Sequence, residues 1–285
     1  MLLLITALCF ALMSNCSATK ETSFINSFND PHTRTEHQVD KLHTYGTAAT
    51  SNPPDDGSGT PEQCVSLQNL TAPHGFKIFG WEAQADTGYA VINAGDVNGD
   101  GRSDLIVSSP RATYNQRANC GIVYVLLGRD RADGQIPNIN LLNIVQSGDG
   151  FQIIGPDSFI QIGESVVAHD VNNDNINDIV VSSEQTDASN VVAYVIFGSL
   201  SFGADIDFFT YGSSDDLLWR VYGPPLSAGS VYHVALSSAG DVNGDSFDDL
   251  LIGAPDEDCA TATQCGVVYV LFGRQATTYP NGLQL

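Results

Sequence analysis

Three nine-residue segments of the chain place oxygen-bearing side chains at their positions 1, 3, 5 and 9: Asp96-Val-Asn-Gly-Asp-Gly-Arg-Ser-Asp104, Asp170-Val-Asn-Asn-Asp-Asn-Ile-Asn-Asp178 and Asp241-Val-Asn-Gly-Asp-Ser-Phe-Asp-Asp249. Hard divalent cations such as calcium take six to eight oxygen ligands, and a tight loop with alternate residues turned inward supplies them. The candidate metal ligands are Asp96, Asn98, Asp100 and Asp104, then Asp170, Asn172, Asp174 and Asp178, then Asp241, Asn243, Asp245 and Asp249. At position 7 the expected ligand is a main-chain carbonyl, from Arg102, Ile176 and Phe247. The expectation is up to three Ca2+ ions.

Other readings of the loops fit less well. An EF-hand needs flanking helices and a bidentate Glu at position 12, where this chain has Val107, Val181 and Ile252. Dockerin loops carry similar acids but between helices. Metal-free Asp-rich turns would explain the Asn and Gly but not three acids bunched within one loop, because uncompensated carboxylates repel one another. Position 6 calls for a left-handed backbone, which Gly adopts without steric cost and Asn more readily than Ser. With Gly101, Asn175 and Ser246 there, the first site ranks above the other two. Asp248, beside Asp249, is expected to face solvent.

The elements around the loops repeat with them. A glycine-bounded apolar segment precedes each loop: Gly88-Tyr-Ala-Val-Ile-Asn-Ala94, Gly163-Glu-Ser-Val-Val-Ala-His169 and Gly229-Ser-Val-Tyr-His-Val-Ala-Leu236. A short apolar run and a small-residue corner follow it: Leu105-Ile-Val-Ser-Ser-Pro110, Ile179-Val-Val-Ser-Ser-Glu184 and Leu250-Leu-Ile-Gly-Ala-Pro255. Each unit then closes on Gly121-Ile-Val-Tyr-Val-Leu-Leu-Gly128, Val191-Val-Ala-Tyr-Val-Ile-Phe-Gly198 or Gly266-Val-Val-Tyr-Val-Leu-Phe-Gly273. A fourth apolar piece, such as Gly150-Phe-Gln-Ile-Ile-Gly155, leads into the next unit. The first Asp recurs after 74 and then 71 residues. Short runs rich in Val, Ile and Tyr between Gly and Pro predict antiparallel strands, four to a unit. A fixed period of this length predicts a propeller or solenoid. No segment has a helical period, so the predicted class is all-β.

These residues resemble a known family. The Asp-Val-Asn-Gly-Asp loop, Gly253-Ala-Pro255 and the closing Val-Tyr-Val-Leu-Phe-Gly are similar to the FG-GAP repeats of integrin α-chain β-propellers, over roughly residues 75–285. The resemblance implies propeller blades of four antiparallel strands, with calcium held in the hairpin joining a blade's first two strands. Units one and two depart from the pattern in ending their corners as Ser-Ser-Pro and Ser-Ser-Glu. Three repeats, at about 75–135, 150–205 and 218–285, make a partial propeller beside the seven blades of a closed integrin ring. The sequence therefore predicts self-association or further blades, and the tail Tyr279-Pro-Asn-Gly-Leu-Gln-Leu285 reads as the lead-in to another blade.

A net charge of −22 and a pI near 4.2 argue against nucleic acid, whose phosphates would be repelled. Residues 1–18 read as a secretory signal peptide: a short apolar run from Met1 to Met13, then small residues to Ala18. No later segment is long and apolar enough to span a membrane, so a secreted, extracellular product is expected. Residues 19–62 are polar and aperiodic and predict a disordered linker or propeptide; His32, His37 and His43 lie within it. The propeller region is placed at 63–285. Asn69-Leu-Thr71 is a glycosylation sequon.

Beyond the leader, Cys64, Cys120, Cys259 and Cys265 make an even set, which in a secreted chain predicts disulfides. Three pairings exist in principle; Cys259–Cys265 across one hairpin base leaves Cys64 with Cys120. No nucleophile elbow, His-Glu-x-x-His or phosphate-cradling loop is present, and His169 and His233 read as satisfied core or edge residues, so no catalytic residue is assigned. The expected function is a calcium-binding module that adheres to or recognises an extracellular protein or glycan, through variable loops at 111–119, 185–190 and 256–264. The alternative is an accessory domain or fragment of a larger secreted enzyme, of phospholipase or polysaccharide-acting type.

Overall fold

The computed structural model describes residues 67–68, 70–71, 74–130, 136–184, 191–200, 202, 205–210, 218–224, 233–259, 262–275 and 283–284. The predicted leader, the whole polar tract 19–62, Cys64, Asn69 and the 185–190 loop lie outside them. The chain divides into two compact units, Met1–Lys77 with Asp133–Pro137, and Ile78–Ala132 with Asn138–Leu285. Within the first, Lys77 donates to the Gln68 carbonyl at 2.6 Å. All the strands and Asp-rich loops belong to the second.

That unit is all-β, with fifteen short strands and one turn of 3-10 helix among the described residues. The first blade is the meander β2 (Val91–Gly95), β3 (Asp104–Ser109) and β4 (Ile122–Leu126), with β6 (Gly150–Ile154) antiparallel on β4. The second repeats it as β7 (Val166–His169), β8 (Asp178–Ser182), β9 (Val191–Ile196) and β11 (Leu218–Tyr222). The third shows β12 (Ala235–Gly240), β13 (Asp249–Ala254) and β14 (Val267–Leu271). Repeated antiparallel sheets of this kind are blades of a β-propeller-like fold.

Two features differ from the sequence reading. The apolar piece at 150–154 does not open the second unit; it is the fourth strand of the first blade, because β4 offers it a free edge with Val123 opposite Ile153. The first two blades also gain a fifth strand, parallel and only two residues long, from the unit that follows. Thus β10 (Ile206–Asp207) lies on β6, and β15 (Leu283–Gln284) lies on β11. The same pairing joins β5 (Ile139–Asn140) to β1 (Ile78–Phe79). In all three pairs a residue of the fourth-strand type meets an aliphatic one: Ile78 with Ile139, Ile153 with Ile206, Val221 with Leu283.

Burial explains the strand composition. Strands β4 and β9 are buried along their whole length, which fits their unbroken runs of aliphatic residues and Tyr. One core lies between blades one and two, where Ile106, Val123, Val125 and Ile153 meet Ile179, Val181, Tyr194 and Ile196. A second lies between blades two and three, where Val180, Ala193, Val195 and Phe197 meet Leu250 and Ile252. The opposite side of blade one packs Tyr124 and Ile122 against Ala85, Leu141 and Ile144. Among the described residues no helix is long and apolar enough to cross a membrane.

Candidate metal centres

The three Asp-rich loops are the hairpins between the first and second strands of their blades, β2–β3, β7–β8 and β12–β13. They share one hydrogen-bonded geometry. The position-1 carboxylate accepts the amides of positions 5 and 6: Asp96 from Asp100 (3.0 Å) and Gly101 (2.7 Å), Asp170 from Asp174 (3.1 Å) and Asn175 (2.7 Å), and Asp241 from Asp245 (3.0 Å) and Ser246 (2.8 Å). The position-3 Asn oxygen accepts the position-5 amide, at 3.2 Å for Asn98, 3.0 Å for Asn172 and 2.9 Å for Asn243. The position-5 carboxylate accepts the position-7 amide, so Arg102, Ile176 and Phe247 fold over Asp100, Asp174 and Asp245 at 2.9, 2.8 and 3.0 Å. Each acid therefore gives a lone pair to the backbone and keeps others for a further donor or a cation.

Position 9 plays a second part. Asp104, Asp178 and Asp249 are fully buried. One oxygen of each accepts the position-2 amide, of Val97, Val171 or Val242, at 2.9, 2.9 and 2.8 Å. The other accepts the amide of Gly128, Gly198 or Gly273 just after the third strand, at 2.7, 2.8 and 3.0 Å. The last acid of each loop thus ties the hairpin to the blade's third strand. Burial pushes the Asp178 carboxyl up to about 8, against the pull of the Gly198 and Val171 amides, and the neighbouring Asp174 and Asp170 push the same way. Asp104 is raised for the same first reason. At the exposed first position of loop three, the Ser246 amide holds Asp241 below the usual carboxylate range.

The backbone requirement at position 6 is met in all three loops, with Gly101 at φ 82°, Asn175 at 68° and Ser246 at 75°. Position 4 is left-handed as well, in Gly99, Asn173 and Gly244; the Asn and Gly preference there carried that signal. Among the described residues no three Asp, Glu, His or Cys side chains are grouped to hold a metal ion by themselves. The set expected for calcium also counts the Asn amide oxygen and a main-chain carbonyl. Oxygen-only donors, left-handed hinges and repeated carboxylates fit a hard cation of the calcium type. In loop one, Arg102 lies 3.6 Å from Asp100 and also pairs with Asp130.

The contact that Asn177 makes between loops one and two was not singled out by the sequence. Asn177, at position 8 of loop two, donates its backbone amide to the Asp96 carbonyl at 2.8 Å and its side-chain amide to the Ala94 carbonyl at 2.9 Å. Its side chain fits against Gly95, where a Cβ would come within 2.2 Å. The residue matching Gly95 in blade two is His169, and position 8 of loop three is Asp248. His169 is buried rather than satisfied: it is 5% exposed and neither ring nitrogen has a hydrogen-bond partner. Burial lowers its pKa, with Asp248 the largest opposing charge. Asp248 is half-buried, not turned to solvent as its neighbour suggested.

The cysteines divide. Cys259 and Cys265 form a disulfide. Cys120, in the matching place to Cys265, is a fully buried thiol with no disulfide partner among the described residues, and it donates to the Ala112 carbonyl; its expected partner Cys64 lies outside them. Tyr114 stands where the third unit has Cys259, and both loops close with the same bridge, Tyr114 to Arg117 and Cys259 to Ala262. At the other end of the first strands, His233 meets Glu164 at 3.2 Å and Glu184 bonds Gln161.

The fold and its loops define a β-propeller-like repeat protein. The FG-GAP repeat family matches at residues 87–126 and 235–271, so the chain carries FG-GAP repeats. It is similar to integrin alpha-PS5 of Drosophila melanogaster, 26% identical over 174 residues, covering 59% of this chain and 15% of that one. It is 27% identical to integrin alpha-PS3 of the same organism over 190 residues, 64% of this chain and 15% of that one. It is 30% identical to phosphatidylinositol-glycan-specific phospholipase D of Bos taurus over 179 residues, 59% of this chain and 18% of that one. The chain thus spans less than a fifth of each of these relatives.

Proposed function

We propose that the chain is a secreted, calcium-binding FG-GAP propeller module that recognises an extracellular protein or glycan. The observation that carries this reading is the set of hydrogen bonds at positions 1, 3, 5 and 9 that recurs in three loops of different sequence. These side chains cap the loop's own amides and still leave carboxylate and amide lone pairs free for a cation, while positions 7 and 8 change from loop to loop. Asp96, Asn98, Asp100 and Asp104 would hold the first ion, and their counterparts the second and third. A bound cation would offset the mutual repulsion of the carboxylates and the burial of position 9. No residue of the loops has to act as an acid, base or nucleophile in this reading. The similarity to integrin α chains favours recognition; the similarity to a phospholipase D, covering so small a share of it, favours an accessory module of a larger enzyme as the second reading.

Melting the protein with calcium and with a chelator tests the proposal. For free calcium of about 2 mM and a dissociation constant of about 0.1 mM, linkage gives roughly 1.8 kcal/mol per site. Three such sites rival the net stability of a domain, so the expected result is a melt shifted by many degrees. Coincident melts, with no heat of calcium binding by titration calorimetry, would remove calcium from the reading.

A further inference from the structure

Three carbonyls on the entry arm of loop one are held by the second blade. The Ala94 carbonyl accepts the Asn177 side-chain amide at 2.9 Å, and the Asp96 carbonyl accepts the Asn177 backbone amide at 2.8 Å. The Val97 carbonyl accepts the Ser199 amide at 3.1 Å. The same seam is closely packed: a Cβ added to Gly99 would lie 2.4 Å from Leu200 and 3.3 Å from Ile176.

Both donors are tied to the candidate ligands of loop two. Asn177 lies between Ile176, whose carbonyl is the expected position-7 ligand, and the position-9 acid Asp178. Ser199 follows Gly198, whose amide Asp178 accepts at 2.8 Å. The other oxygen of Asp178 accepts the amide of Val171, at position 2 of its own loop. The residues that would close around an ion in loop two therefore also set where Asn177 and Ser199 stand against loop one.

The seam between loops two and three keeps only part of this arrangement. Arg274, after Gly273, donates to the Val171 carbonyl at 2.9 Å, as Ser199 does to Val97. Asp248 stands in the place of Asn177, and His169 in the place of Gly95. A carboxylate accepts and cannot copy the side-chain bond to a carbonyl, and the Asp248 backbone amide makes no bond to the Asp170 carbonyl.

We infer, on the calcium reading of these loops, that Asn177 is a positioning residue for site one, through which sites one and two bind calcium cooperatively and more strongly coupled than sites two and three. An ion in loop two offsets the repulsion among its acids and so steadies residues 176–178. Asn177 then keeps the Ala94 and Asp96 carbonyls in place, and with them the first acid of loop one. Less freedom is left for loop one to lose on binding, which raises its affinity. Linkage makes the effect reciprocal, so occupancy of loop one favours occupancy of loop two by the same factor.

Calcium titrations of the full chain, followed by the backbone amide resonances of Gly101, Asn175 and Ser246, read the loops one by one, because each amide donates to the first acid of its own loop. Asn177→Ala changes none of the expected ligands and should raise the Gly101 midpoint about fivefold, with the Ser246 midpoint unmoved. A general loss of stability would move both. Asp100→Ala, which disables loop one, should raise the Asn175 midpoint by a similar factor, and by much less in a chain that also carries Asn177→Ala. An unmoved Gly101 midpoint in Asn177→Ala, or one that moves no more than Ser246, overturns the inference and leaves the calcium reading standing. Should Asn177→Ala fail to fold, an Asn175 midpoint unaffected by Asp100→Ala overturns it instead. Resonances that ignore calcium in all three loops of the native chain overturn both.

Discussion

Arg117 and Asp207, 90 residues apart, meet in a two-pronged ion pair, each carboxylate oxygen 2.7 Å from a separate guanidinium nitrogen. Arg117 comes from the loop before β4 and Asp207 from β10, so the pair fastens the second unit's returning strand to the first blade's outer edge. The guanidinium also reaches the Gly155 carbonyl at 2.7 Å and stacks near the Tyr114 and Phe209 rings. Asp207 in turn accepts the Phe209 amide, which shapes the turn after β10. The side chains are only 13% and 20% exposed, which removes most of the screening that makes surface pairs weak.

Arg117→Ala should therefore cost about 3 kcal/mol, since it leaves a largely buried carboxylate without its partner. Arg117→Lys should recover only part of this, because an ammonium cannot bond both oxygens in the fork geometry. Urea unfolding of the three proteins measures the difference. Equal stability of the lysine variant and the native chain would mean that charge alone, and not the fork, holds β10.

The junction of loops one and two gives a second expectation. Gly95 has φ 65° and a Cβ on it would collide with Asn177. Gly95→Ala combines an unfavourable backbone region with that clash and should destabilise by about 2 kcal/mol or more. Asn177→Ala removes the bond to the Ala94 carbonyl and should cost about 1 kcal/mol. Because Asn177 is the group Gly95→Ala strikes, the double variant should be less damaged than the sum. Strict additivity in denaturant melts would place the strain elsewhere.

Ser246 holds a left-handed backbone that Gly101 holds at no steric cost. Ser246→Gly should then stabilise loop three by about 1 kcal/mol, and raise calcium affinity at that site if the apo loop samples other conformations. The same reasoning makes Asp100→Ala more damaging to ion binding than Asp245→Ala. Titration calorimetry on all three variants decides the ranking, and equal losses in the two alanine variants would dismiss it.

The contact of His233 with Glu164 carries a pH dependence with a definite sign. The Glu164 hydrogen bond raises the imidazole above its ordinary value of 6.5, against the opposing effect of burial, and the charges of Glu164, Glu184 and Asp256 add to the rise. A group whose folded value is raised contributes stability that is complete below the unfolded value. That contribution is lost as the pH climbs through the higher folded value. Native protein should lose a small increment of stability from about pH 6.5 upward, and Glu164→Gln should flatten that segment of the curve. An unchanged pH profile in the variant would separate His233 from Glu164.

The loops were legible in the sequence because Asp, Asn and Gly recur in them at set positions, and the left-handed backbone at position 6 emerged with them. The strand runs were legible from Val, Ile and Tyr between glycines. The phase of the units was not, because Gly150–Ile154 is as close in sequence to the second unit as to the first, and only the free edge of β4 decides its place. The parallel strands Ile139–Asn140, Ile206–Asp207 and Leu283–Gln284 are two residues long, too short to show any period. The roles of Asn177 and His169 depend on the neighbouring blade, and that information is nonlocal. The Cys259–Cys265 bridge was legible from its six-residue spacing across one hairpin base, and the first unit has Tyr114 where the third has Cys259.

The parallel strands also say how such an array can grow or shrink. Each unit lends its β5-type strand backward, so the seam between neighbours is woven from both and no cut in the gene coincides with a spatial border. Excising residues from one loop to the matching place in the next removes one donated strand and one acceptor together, and the flanking blades rejoin with matched partners. Duplication or excision of one full period moves one donor and one acceptor together in whatever phase it is made, and so leaves every seam whole.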